Sequence, residues 1–137
     1  MQVVSQVLAR DLVDLSLALG RQIGVLLDRR GRVQQVILGD AHSINVPEFR
    51  RVRGAAGRLR GLRLVLTHLV NDPLSREELA DLAKLRLDLI AAVHRGPAGI
   101  AIDLASLTPA APDSKDAFTL QRWPRVPLAV LTQVADG

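Results

Sequence analysis

The chain has 137 residues, of which 48% are apolar, 23% are charged and 2% are aromatic, and its net charge is +4. This composition is sufficient for one compact core and excludes a wholly disordered chain. The longest run without a formal charge, residues 126–135, is about half of the roughly 20 residues that a membrane span needs. The absence of cysteine excludes disulfides and thiol chemistry, the N-terminus does not resemble a secretion signal, and we expect a cytoplasmic protein.

The first predicted element is an amphipathic helix over residues 5–19. Ser5 is a suitable N-cap and Gly20 a suitable stop. Four leucines recur at helical spacing and predict the buried face. These are Leu8, Leu12, Leu15 and Leu19.

Two apolar segments, residues 23–27 and 33–38, predict a β-hairpin around the turn at 28–31. A third apolar strand, over residues 62–68, follows a loop that is rich in arginine and glycine. Its continuous apolar character is typical of a central strand.

The second predicted helix begins at the capping box Ser75-x-x-Glu78. A fourth strand, at 87–93, and a fifth, at 99–104, complete the pattern. The crossover from the third strand through this helix to the fourth strand should be parallel and right-handed. The predicted fold class is therefore α/β, a mixed central β-sheet with helices on its faces.

From residue 108 the sequence pattern changes, because prolines interrupt any periodic spacing of apolar residues. We interpret residues 1–107 as the α/β domain. Residues 108–137 are predicted to be a proline-rich linker or tail that leads to a downstream module.

The positive charge is concentrated in one segment, residues 50–63. No Asp or Glu occurs between Phe49 and Asn71, and outside the segment acidic residues slightly outnumber basic ones. Arginine grips phosphate and carboxylate groups through its planar guanidinium, so the segment is predicted to contact RNA or an acidic protein surface. Its arginines are Arg50, Arg51, Arg53, Arg58, Arg60 and Arg63.

A second candidate site lies where the third strand ends. His68 closes that strand, and Ser75 and Glu78 follow at the start of the next helix. Ligands often bind at such edges of open α/β sheets. The three side chains predict a pocket, although Ser75 and Glu78 are also explained as a helix cap.

The spacing of these residues resembles the JAMM/MPN metalloprotease motif, which also occurs in the RadC family. In that family a His-x-His pair ends a strand and a Ser-x-x-Asp follows on the next helix. The resemblance implies a cytidine-deaminase-like, three-layer fold. It also implies a zinc site formed by the two histidines and the aspartate, with an upstream glutamate as the base.

Matched position by position, the site is degraded. His68 matches the second histidine, Ser75 the serine, and Glu78 the aspartate. Leu66 replaces the first histidine, and the glutamate's position falls at Arg21 or Gln22. A catalytic zinc needs about three protein ligands, so we expect a remnant pocket with no catalytic residues and no bound metal.

A longer resemblance covers about a hundred residues. The blocks at 20–33, 36–40, 57–64 and 85–89 resemble the N-terminal extension of long HflX-type GTPases, which associate with the ribosome. That extension has His-Thr-His where this chain has Leu66-Thr67-His68. The resemblance implies a ribosomal context, with ribosomal RNA, a ribosomal protein or the GTPase domain itself as partner.

These 137 residues contain no P-loop motif, so GTP and magnesium are implied only for a missing GTPase domain. The leading interpretation is a non-catalytic binding or regulatory domain. A zinc-dependent JAMM-type peptidase or isopeptidase is the first alternative. The second is a structural or dimerisation domain that exposes the edge of the second or the fifth strand.

Overall fold

The computed structural model describes residues 5–44, 62–70, 72–84, 87–97, 99–109 and 118–127. They form a mixed α/β fold in which one sheet of six strands carries two helices. The helices are α1 (Gln6–Leu19) and α2 (Arg76–Lys84). The strands are β1 (Ile23–Leu27), β2 (Val33–Leu38), β3 (Arg63–Thr67), β4 (Leu89–Gly96), β5 (Gly99–Pro109) and β6 (Phe118–Pro127).

Helix α1 has both predicted caps. The Ser5 hydroxyl accepts the N–H of Leu8 at 3.1 Å. Gly20 ends the helix in the left-handed conformation, with φ of 65°, which glycine adopts without steric cost.

The predicted buried stripe of α1 is wrong in part. The residues that face the sheet are Ala9, Leu12, Val13 and Ser16. Leu15 and Leu19 are half-exposed because they lie to one side of this face. Leucine spacing alone misplaces the stripe, since small residues such as Ala9 and Ser16 allow the closest approach to the sheet.

The sheet order is β2-β1-β3-β4-β5-β6. Strands β3 and β4 are parallel, with Val65 opposite Ala91, and all other pairs are antiparallel. The predicted hairpin and the predicted parallel crossover are both confirmed. Among the described residues, no helix has the length and apolar character needed to cross a membrane.

The C-terminal half differs from the prediction. Strand β5 runs on to Pro109, past the boundary placed at residue 107. Strand β6 lies in the predicted tail and pairs with β5 over most of its length. Edge strands tolerate proline, and β6 is the last strand of the sheet, so its prolines do not prevent pairing. The edge of β5, predicted to be open, is covered.

The two helices lie on opposite faces of the sheet. Successive side chains of a strand point to opposite faces of the sheet. Val25 and Val65 therefore pack on the α1 side, and Leu26 and Leu64 pack on the α2 side. The described elements thus form three layers with an apolar cluster on each side of the sheet.

Candidate functional site

A cavity of about 280 Å³ lies on the α2 face, at the carboxyl end of β3. The N-terminus of α2 and the loop after β2 enclose it. Its apolar wall includes Ile44, Leu64, Leu66 and Ile90, and its polar wall includes Gln22, His68, Ser75, Glu77, Glu78 and Asp81. The three residues of the predicted remnant pocket are therefore brought together.

His68 is buried and is held at both ring nitrogens. Its Nδ1 lies 2.8 Å from the carbonyl oxygen of Asp72. Its Nε2 lies 2.9 Å from Oε2 of Glu78. A backbone carbonyl and an ionised carboxylate only accept hydrogen bonds, so while Glu78 is ionised both ring nitrogens donate, and this geometry favours the imidazolium form of His68.

The pKa values of the pair shift in the directions that keep both groups charged. Burial by itself lowers the pKa of His68, but the hydrogen bonds and charges of Glu78 and Asp72 together outweigh it and raise that pKa above its ordinary value. Burial by itself raises the pKa of Glu78, but the hydrogen bond and charge of His68, together with the hydrogen bonds of Ser75, outweigh it and lower that pKa.

The carboxylate of Glu78 also closes the start of α2. Its Oε1 accepts the N–H of Ser75 at 2.7 Å, and the Ser75 hydroxyl accepts the N–H of Glu78 at 3.1 Å. This reciprocal pair is the predicted capping box. The capping box and the ion pair together fix the position of the Glu78 carboxylate.

Two further positions that the resemblance matches to the metalloprotease motif lie at the same cavity. Leu66 is fully buried beside His68, on the same face of β3. Gln22, only 6% exposed, lines the cavity. Arg21 is exposed, and its Nε donates to the carbonyl of Gly39 at 2.6 Å, so Gln22 is the residue that lines the cavity at the glutamate's position.

The donor set does not fit a catalytic zinc ion. His68 and Glu78 bond to each other, Leu66 offers no lone pair, and the neutral amide of Gln22 is a weak ligand. Among the described residues, no group of three or more His, Cys, Asp or Glu side chains is placed to hold a metal ion.

Asp103 is a residue that the sequence analysis missed. It is buried in β5, and its Oδ2 accepts the N–H of Leu74 at 2.8 Å. This bond fixes the chain directly before Ser75. The sequence does contain a signal for this residue, because it is an aspartate within an otherwise apolar strand. A buried carboxylate needs a hydrogen-bonding partner, so such a residue is expected to make a specific contact.

The arginine segment is described only at its end. Arg50, Arg51, Arg53, Arg58 and Arg60 lie outside the described residues. Arg63 is the first residue of β3 and is only 6% exposed, with its Nη2 3.5 Å from the carbonyl of Arg29. Including Arg63 in the contact surface was wrong, because its guanidinium lies within the fold.

The chain was compared with protein-family models, with curated proteins and with solved structures, and no match was found in any of the three comparisons.

Proposed function

We propose that this chain is a catalytically silent binding domain of the JAMM/MPN type, from the N-terminus of an HflX-type, ribosome-associated GTPase in the cytoplasm. One observation carries the first half of this proposal. Five positions that the resemblance matches to the metalloprotease motif line one cavity, although they come from three separate stretches of the chain. They are Gln22, Leu66, His68, Ser75 and Glu78.

The side chains at these positions support a loss of hydrolytic chemistry. A glutamine cannot take a proton from water as the family's glutamate does. Leu66 provides no metal ligand where the family has a histidine. The His68 ring is hydrogen-bonded to the Glu78 carboxylate, so neither group is available to a metal ion. The protonated ring of His68 thus neutralises the Glu78 carboxylate, which in the metalloprotease family would be done by the metal ion.

The proposed contact surface is the arginine segment at 50–60. Its five arginines carry a local excess of positive charge on a chain that is otherwise close to neutral. Such a cluster attracts the phosphate backbone of RNA and makes binding sensitive to salt. Few aromatic residues accompany it, so backbone contacts are favoured over the stacking of bases.

The test is binding to purified ribosomes, measured by co-sedimentation at several salt concentrations. The triple variant Arg53→Ser, Arg58→Ser, Arg60→Ser should bind about tenfold more weakly or worse, and the salt slope should flatten by about one for each lost phosphate contact. The matched control is Arg10→Ser, Arg30→Ser, Arg76→Ser, which removes the same charge from exposed arginines elsewhere. Equal binding by the two triple variants would contradict the proposed surface.

Binding to ribosomal RNA stripped of protein then distinguishes an RNA contact from a ribosomal-protein contact. The alternative of a zinc peptidase is tested separately by metal analysis of the protein purified without chelator. About one zinc ion per chain would support that alternative and contradict a silent site.

A further inference from the structure

The side-chain amide of Gln22 lines the cavity beside His68 and has no hydrogen-bond partner among the described residues. Gln22 is only 6% exposed. Its main chain is held firmly, because its N–H donates to the carbonyl of Asp40 at 2.7 Å and its carbonyl accepts the N–H of Gly39 at 2.8 Å. Buried polar groups are hydrogen-bonded in folded proteins as a rule, so an amide fixed in this way points to a ligand in the cavity.

Two uncharged oxygen atoms at this cavity can accept hydrogen bonds from a ligand. One is the amide oxygen of Gln22, which has two lone pairs. The other is the Ser75 hydroxyl, which accepts only the N–H of Glu78 and so keeps a second lone pair. The Gln22 amide also carries donors, so the charge of the surroundings decides which end of a ligand it meets.

The charge of the cavity wall selects a cation. Four carboxylates line the cavity, and no lysine or arginine is among the described residues that line it. The protonated ring of His68 neutralises Glu78, which leaves the wall negative through Asp72, Glu77 and Asp81. Carboxylate and phosphate groups are therefore repelled, and a positively charged group is attracted.

The size and the apolar wall of the cavity limit this cation to a small organic one. The volume of about 280 Å³ is just below the roughly 300–1,000 Å³ of typical ligand pockets, so it suits a small molecule or a single side chain. Leu64, Leu66 and Ile90 form an apolar wall that suits a short hydrocarbon stem. A bare metal ion would leave that wall unused, and the described residues offer no group of ligands for one.

We propose that the cavity binds a guanidinium group on a short apolar stem, which is the chemistry of an arginine side chain or of a small free guanidine. A guanidinium ion is planar, always charged and more weakly hydrated than an ammonium ion, so it enters a partly apolar cavity at a lower cost. Its five N–H donors are enough to serve the Gln22 amide oxygen and the Ser75 hydroxyl and still to face the acidic wall.

This inference rests on the cavity being free of metal, as proposed above, and does not depend on ribosome binding. Metal analysis of the same sample separates the two proposals. Bound zinc would contradict the silent site. A metal-free protein that takes up no guanidinium compound would contradict only the guanidinium site.

The test is an NMR titration of the 137-residue chain with n-butylguanidinium chloride and with n-butylurea, a neutral compound of nearly the same shape. The guanidinium compound should bind saturably and shift the amide signals of Gln22 and Ser75. The urea should bind about tenfold more weakly, because it lacks the charge that the acidic wall attracts. n-Butylammonium should also bind more weakly, because it has fewer donors and is more strongly hydrated.

Two variants locate the site. Gln22→Met removes the amide at nearly constant volume and should weaken binding of n-butylguanidinium about tenfold. Glu77 is exposed, so Glu77→Gln keeps the fold, and it should weaken binding about two- to fivefold. The matched control Asp11→Asn removes the same charge from α1, on the other face of the sheet, and should bind as the wild type does.

A blocked Gly-Arg-Gly peptide distinguishes the two sources of a guanidinium group. Binding at least as tight as that of n-butylguanidinium assigns the site to an arginine side chain of a partner, and weaker binding assigns it to a small free compound. The absence of saturable binding would overturn the proposal. So would equal binding of n-butylguanidinium and either comparison compound, or binding that Gln22→Met and Glu77→Gln both leave unchanged.

Discussion

The Nε2 atom of His68 lies 2.9 Å from Oε2 of Glu78, so the two side chains best suited to hold a metal ion are bound to each other. Both are largely shielded from water, and each has a further fixed partner in the backbone. Because a buried charge needs a partner, this pair is expected to influence both the stability of the domain and its response to pH.

The first prediction concerns the pH dependence of the free energy of unfolding. The raised pKa of His68 gives stability that is fully present below its ordinary value of 6.5 and is lost as pH rises through the folded value. The lowered pKa of Glu78 gives stability that is present above its ordinary value of 4.5 and is lost as pH falls through the folded value. The contribution of the pair should therefore be largest between pH 4.5 and 6.5.

The variant Glu78→Gln isolates this effect, because glutamine at the same position keeps the capping box while removing the charge. We expect it to lower the free energy of unfolding by about 1–3 kcal/mol inside that window, and by less outside it. Chemical denaturation of both proteins at a series of pH values measures the difference. A difference that is constant with pH would show that the pair does not titrate as described.

The second prediction concerns a buried hydroxyl network under α1. The Thr67 hydroxyl accepts the N–H of Ile23 at 2.9 Å and donates to the Ser16 hydroxyl at 2.7 Å. Ser16 in turn donates to the carbonyl of Arg21. The variant Thr67→Val keeps the shape but leaves the Ile23 N–H without an acceptor, at a cost of about 1–3 kcal/mol.

The matched variant Thr67→Ser keeps the hydroxyl and loses only a methyl group, at a cost of about 1 kcal/mol. Urea denaturation should therefore place Thr67→Ser between Thr67→Val and the wild type. If Thr67→Val is the more stable of the two, the hydroxyl network does not hold α1 to the sheet.

The third prediction concerns the loop that closes the cavity. A Cβ at Gly39 would lie 2.2 Å from the backbone oxygen of Ser43. Asp40 Oδ1 holds the loop in this tight turn by accepting the N–H groups of His42 and Ser43, which lower the pKa of that carboxyl group. The variant Gly39→Ala should cost about 2 kcal/mol or more, because backbone must move.

The comparison variant is Gly20→Ala, where a Cβ would meet nothing within 4 Å and only the positive φ is unfavourable. Its expected cost is smaller, about 1 kcal/mol. Thermal unfolding of the two variants measures which of them loses more stability. Equal losses would mean that the loop relaxes away from Ser43 without cost.

The features that sequence alone predicted well are local ones. Ser5, Gly20 and the Ser75–Glu78 capping box each act within a few residues of their own position. The strands at 23–27 and 33–38 also have the predicted bounds, because a short hairpin depends on its own turn.

The features that were missed depend on distant contacts. The fourth strand was predicted to end at residue 93, but β4 runs on to Gly96, and His94 within it is buried. Strand β6 was not predicted because its prolines argue against a strand. Proline is tolerated in an edge strand, and β6 is the last strand in the observed order. The presence of Gln22 at the cavity depends on β1 lying beside β3, a pairing that the separate segments of sequence do not reveal.

The central claim is that a hydrocarbon side chain at position 66 keeps the pocket free of metal, and calorimetric titration with zinc chloride tests it most directly. The wild-type domain should take up no stoichiometric zinc. The variant Leu66→His adds a second imidazole beside His68 and Glu78 and should bind about one ion per chain. The control Leu64→His places an imidazole on the same face of β3, four residues before His68 instead of two. This variant should bind no zinc ion. Tight binding of one zinc ion by the wild-type protein, or equal behaviour of the two variants, would contradict the account.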